Sequence, residues 1–157
     1  MRRLTLTGRD RVESWLRKHG LDWRLITMHE PTRTVAQAAR QLRVDESMII
    51  KTLILLCENN VYAVIIPGDK RLSFEKLGRI AGKCRMAKRR EVEDTTGYPA
   101  GGVPPVALPE NIQVIMDIGI AYMKKAYGGG GDENTLLEFN PSKLKKLIQC
   151  IVADVSQ

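Results

Sequence analysis

Histidine is nearly missing from this chain: His19 and His29 are the two in 157 residues. Neither falls in an HExxH helix or beside a GxSxG elbow, which argues against a metalloenzyme or a Ser-His-Asp hydrolase of recognisable motif, a triad distant along the chain staying open. Cysteine is also scarce. Cys57, Cys84 and Cys150 are three, odd in number, far apart, and form no CxxC pair. That pattern argues against a zinc site and against a disulfide framework, and predicts three reduced, buried thiols. No apolar run approaches the ~20 residues needed to span a bilayer. The N-terminal MRRLTLTGRDRVESW has no apolar core of a secretory signal. A cytoplasmic location with no membrane partner is the expectation.

The length suits one domain spanning residues 1–157, and 43% hydrophobic with 27% charged residues is ordinary for a globular protein. The charge balance is more informative. A formal net charge of +7 favours a polyanionic partner, because neutralising phosphates supplies most sequence-independent nucleic-acid affinity. The segment 83–90, KCRMAKRR, places five cations in eight positions, and Lys143, Lys145 and Lys146 cluster again later. A charge run can equally be a solvated face.

Helical periodicity covers 9–18, with Val12, Trp15 and Leu16 on one face and Gly20 beyond its end. A strand is predicted at 23–28. Thr34 and Gln37 form a T-x-x-Q capping box for the helix TVAQAARQL. MIIKTLILLC and VYAVIIP, separated by Glu58-Asn59-Asn60, read as a β-hairpin. Ser73 opens a helix stopped by Gly82, and a short helix covers 88–96. Strands follow at 112–117, 136–139 and near 123–127, and a final helix begins at Pro141-Ser142 and runs through KLKKLIQC. Helices and strands mix without βαβ alternation, which predicts an α+β domain with a mixed or largely antiparallel sheet.

Several local features resist a purely structural reading. Lys51 is the sole charge between Met48 and Cys57, on a strand whose two faces are both apolar. A lysine there is costly unless its ammonium reaches water or an anion. Lys88, Arg89 and Arg90 open a helix whose dipole they oppose, which suggests service to a partner. The segment TTGYPAGGVPP (95–105) combines three glycines with three prolines, a loop both permissive and stiff. Gly128 to Gly131 precede acids rather than GK[ST], which excludes a P-loop. A flexible turn and a point of close backbone approach both remain open for them.

These pieces, in this order, resemble the YbaK/ProX type of trans-acting aminoacyl-tRNA deacylase, homologous to the editing domain inserted in bacterial prolyl-tRNA synthetase. The carriers are T-x-x-x-A-A at Thr34 to Ala39, the strand IIKTLIL with Lys51, the loop TGYPAGGVPP, and GGGG followed by LLEF. The resemblance implies a compact α+β fold with a mixed, strongly curved, barrel-like sheet and outer helices. It implies metal-independent hydrolysis of the ester joining a wrong small amino acid to tRNA, typically tRNA-Pro, without a cofactor. Lys51 and the amides of Gly101 and Gly102 are the implied catalytic groups. Met28, Thr34, Thr52, Tyr98, Val103 and Pro104 are the implied substrate contacts, joined by Gly130, Gly131 and Asp132. Lys83, Arg85, Lys88, Arg89 and Arg90 would hold the tRNA acceptor end, with prolyl-tRNA synthetase as a further partner. The alternatives are an inactive tRNA- or nucleotide-binding module attached to a synthetase and a small-molecule phosphate binder using the glycine run.

Overall fold

The computed structural model describes residues 6–30, 32 and 34–157; Arg2 and Arg3 of the N-terminal stretch lie outside them. Helix α1 (Gly8–Lys18) starts where Thr7 accepts the Asp10 amide and Asp10 reciprocates to the Thr7 amide. Its Val12 and Leu16 are buried. Strand β1 (Arg24–Thr27) follows, then α2 (Val35–Leu42), whose first turn is capped by the Thr34 hydroxyl accepting from the Gln37 amide.

The hairpin expected around 58–60 is present as β2 (Ile50–Cys57) and β3 (Val61–Pro67), paired antiparallel with Leu56 opposite Val61. Helix α3 (Phe74–Ala81) is capped by Ser73 and ends at Gly82, and α4 (Arg89–Thr96) ends at a left-handed Gly97. Between them lies a three-residue strand, β4 (Cys84–Met86), which periodicity cannot detect at that length. Strands β5 (Ile112–Asp117), β6 (Ala126–Gly129) and β7 (Thr135–Phe139) precede α5 (Pro141–Leu147) and β8 (Cys150–Ala153). The last helix is shorter than its sequence suggests. Ile148 is extended, and Cys150 pairs with Val114 instead of closing another turn.

Parallel pairing of β3 with β5 and β5 with β8, beside the antiparallel hairpin, makes the larger sheet mixed, in the order β4-β2-β3-β5-β8. A second sheet has the order β1-β7-β6, and a parallel bridge between Ile49 and Tyr127 joins the two. Among the described residues neither sheet closes on itself, so the expected single barrel-like sheet is replaced by two open ones. The sides of β2 pack as its alternation requires. Ile50 and Ile54 enter the main core with Val12, Tyr98, Val103 and Phe139, whereas Leu55 packs with Leu77 and Ile115. Both faces of the Lys51 strand are therefore covered.

The cysteine expectation is corrected. Cys57 and Cys84 form a disulfide, because the β2–β4 register sets them directly opposite each other. Their separation of 27 residues concealed this. Cys150 remains a free, half-buried thiol. Among the described residues no helix is long and apolar enough to cross a membrane.

Candidate active site

A cleft of about 460 Å³ opens between the start of β2, the first turns of α2, the bend at 100–103 and the β6–β7 strands. Lys51, Thr52, Thr34, Gly101 and Val103 all line it. The second position of β2 thus brings the one cation of the apolar run to the bend that carries the glycines and prolines. The Lys51 ammonium donates to the Lys70 carbonyl at 3.2 Å, in the turn after β3. An ammonium has three donors, and no carboxylate pairs with this one among the described ion pairs. Anion-binding capacity is left at the cleft.

Thr52 carries a second signal. Its hydroxyl oxygen is fully buried with no hydrogen-bond partner. A buried polar group left without a partner costs about 1–3 kcal/mol, and such groups call for an explanation. Thr52 also lines a recess of about 230 Å³ that adjoins the cleft through Leu53, Ala100 and Val103 and is walled further by Met86, Val92 and Arg89.

The two glycine-rich stretches interlock. The Gly131 amide donates to the Gly102 carbonyl at 2.9 Å, and the Gly102 amide donates to the Pro99 carbonyl at 2.9 Å. A Cβ on Gly102 would sit 2.6 Å from the Asp132 backbone, and one on Gly129 would sit 2.3 Å from the Val103 carbonyl oxygen. These glycines allow one main chain to pack against another. Gly101 differs: it is exposed, and the nearest atom to an added Cβ is Glu133 Cγ at 3.7 Å. Of the two implied catalytic glycines, Gly101 faces the cleft, whereas the Gly102 amide is bonded within the bend.

Other implied substrate contacts are placed elsewhere. Tyr98 is fully buried, its hydroxyl donates to the Ala107 carbonyl at 2.6 Å, and burial raises its phenol pKa. It anchors the bend from beneath. Met28 packs with Ala38, Ala39 and Leu136 in a separate small core. Pro104, Gly130 and Gly131 are buried in the walls behind the cleft, and the Asp132 carboxylate accepts the Asn134 amide.

Arg11 was not legible as a site residue. It donates to the carbonyls of Gly97 and Thr96 at 3.1 and 3.2 Å and lies 4.1 Å from the Tyr98 ring centroid. Through it α1 holds the start of the bend. The helical face of α1 gives no hint of this contact, 86 residues distant along the chain.

Lys83, Arg85, Lys88, Arg89 and Arg90 are all exposed. Two of them are engaged. Arg85 makes a bidentate pair with Glu91 at 2.8 Å, and Arg89 donates to Glu133 at 3.0 Å. The Arg85 guanidinium and the Lys88 amide hold the Glu91 carboxyl down to about 2. Glu91 thereby repairs part of the unfavourable cationic start of α4. Among the described residues no group of three His, Cys, Asp or Glu side chains is placed to hold a metal.

Fold and cleft together define a small domain with a cation opposite an open glycine bend, and comparison with known proteins specifies the class. The model of the aminoacyl-tRNA editing domain matches residues 29–147, and the chain belongs to that family. It is 34% identical over 110 residues to a proline–tRNA ligase of Thermosipho melanesiensis, covering 68% of this chain and 19% of the ligase. It therefore spans about a fifth of the length of that relative. An uncharacterised protein of Bacillus subtilis, YwhH, is 30% identical over 115 residues, 72% of this chain and 73% of that one. Among solved structures, a hypothetical protein superposes with a TM-score of 0.89 at 54% identity, covering 94% of this chain and 99% of that chain. A candidate trans-editing enzyme for prolyl-tRNA synthetase superposes with a TM-score of 0.88 at 27% identity, covering 98% and 99%.

Proposed function

We propose that the protein is a trans-editing hydrolase that deacylates mischarged tRNA, with tRNA-Pro carrying a wrong small amino acid as its substrate. The observation that carries this reading is the convergence of Lys51 and Gly101 on one cleft. Membership of the editing-domain family and likeness to a candidate trans-editing enzyme for prolyl-tRNA synthetase support the substrate class.

The chemistry asked of the site is modest. An aminoacyl ester is already activated, so positioning and stabilisation of the developing oxyanion suffice. Lys51 holds a phosphate of the terminal adenosine. The backbone at Gly101 faces the ester carbonyl. A water attacks that carbon, the bond from carbon to the ribose oxygen breaks, and the ribose oxygen takes up the proton. Free amino acid and tRNA with an intact 3′ end leave. No step passes through a metal, and the reaction belongs in the cytoplasm, where charged tRNA is used.

The cleft is small and partly apolar, with Val35, Ala38, Ile50 and Leu136 in its wall, which suits a small side chain. A panel of tRNA-Pro charged with alanine, cysteine, serine or proline tests the reading. Rapid release of one wrong amino acid with Pro-tRNA spared is expected. Ester loss no faster than in buffer across the panel rejects it in favour of a binding module.

A further inference from the structure

We propose that the loop 122–125 and helix α5 form a second basic surface, distinct from residues 83–90, that binds backbone phosphates of the tRNA. The proposal rests on the editing reading for the identity of its RNA. Tyr122 is 68% exposed, and the Lys145 ammonium lies over its ring at 3.5 Å from the centroid. The Ser142 amide donates to the Met123 carbonyl at 3.0 Å, which fastens the start of α5 to the loop. Lys124, Lys125, Lys143 and Lys146 are exposed on the same two elements.

Two features separate this cluster from an ordinary solvated face. Among the described residues none of its five lysines belongs to an ion pair, whereas Arg85 and Arg89 of the other basic segment are both paired. The dipole of α5 rewards Lys145 and Lys146 in its last turn but penalises Lys143 in its first, where there is no acid. Apart from Lys125, which lies near enough to Glu138 to lower its pKa, these like charges on two joined elements are set to meet a polyanion. An exposed aromatic among them is the arrangement that single-stranded nucleic-acid sites use for stacking.

The location fits the same substrate. Lys125 immediately precedes β6, whose Gly128 and Gly129 line the cleft. Three or four strand residues span roughly 10–13 Å, so an RNA end seated in the cleft lies within that span of Lys125.

The test is the triple exchange Lys124→Gln, Lys143→Gln, Lys146→Gln, read by filter binding of uncharged tRNA-Pro from 50 to 200 mM salt. About 10-fold weaker binding at low salt is expected, with the log–log salt slope shallower by about 2–3, since each lost phosphate contact removes ~0.7–0.9. The matching triple exchange to arginine should keep the slope, and each single exchange to glutamine should reduce it by one contact's worth. Unchanged affinity and slope in the glutamine variants would overturn the proposal, including the case in which the patch receives an acidic protein. Wild-type binding with the full slope but no deacylation would leave this surface standing while the editing reading falls. Deacylation with an unaltered slope in the triple variant would do the reverse.

Discussion

One stretch of chain, residues 100–108, borders two cavities of opposite character. On one side Gly101 and Val103 face the 460 Å³ cleft with Lys51. On the other, Pro105 to Leu108 face a cavity of about 740 Å³ walled by Trp15, Ile112, Val114 and Ile148. Among the described residues the larger cavity has no lysine, arginine or histidine in its wall, and Glu110 is its one charged residue. Its thiol, Cys150, has its pKa pushed up by burial, which disfavours the nucleophilic thiolate. The smaller cleft has a cation and an exposed glycine. Volume measures what can fit; charge and accessible main chain determine what can be held and reacted.

The strongest way to break this contrast is Lys51→Ala. Deacylation, read as kcat/KM, should fall about 100-fold or more, the scale of losing one charge-stabilising group, with thermal unfolding nearly unmoved. Retained turnover would remove Lys51 from the mechanism. Next in size is Gly102→Ala. Its methyl would press into the Asp132 backbone at 2.6 Å, so roughly 1–3 kcal/mol of stability should be lost. Denaturant titration gives that cost, and turnover should fall with it as the bend shifts.

Thr52→Val sharpens the comparison further because it separates stability from turnover. Removing an unsatisfied hydroxyl should raise stability by about 1 kcal/mol, while kcat/KM stays within about twofold, since the fully buried oxygen lies out of a substrate's reach. A stability loss would mean the hydroxyl has a partner within the protein.

A smaller effect concerns pH. The Glu91 carboxyl is held at about 2 by Arg85 and the Lys88 amide, below its ordinary value of 4.5. Its contribution to stability is present above the ordinary value and lost as pH falls towards 2. Arg85→Met should move the Glu91 titration, followed by NMR, back towards 4.5 and flatten the acid limb of the stability curve. The smallest expected effect is at the other cavity: Cys150→Met should leave turnover within about twofold.

Much of this arrangement was legible in the residues. A lone charge in an apolar run singled out Lys51, and turn and cap chemistry located the hairpin, Ser73, Gly82 and Gly97. What was hidden depends on contacts distant along the chain. The strands β4 and β8 are too short to show periodicity, and without β4 nothing brings Cys57 to Cys84. The glycines of 101–102 read as bare amides, yet Gly102 packs against neighbouring main chain, while Gly129 and Gly131 make the close backbone approach left open beside a flexible turn. Arg11 is one charge among many on α1 until the fold places the 96–97 carbonyls above it. Unpaired and paired cations look the same in a sequence, and their partners, Glu91 and Glu133, emerge from packing alone.

The proposed reaction stands on entry of the aminoacylated adenosine into the Lys51 cleft. A crystal structure with an adenosine 5′-phosphate carrying an amide-linked, non-hydrolysable alanine on its ribose tests it directly. The phosphate is expected at the Lys51 ammonium and the carbonyl against Gly101. Occupancy of the Trp15–Cys150 cavity, with the Lys51 cleft empty, would contradict it.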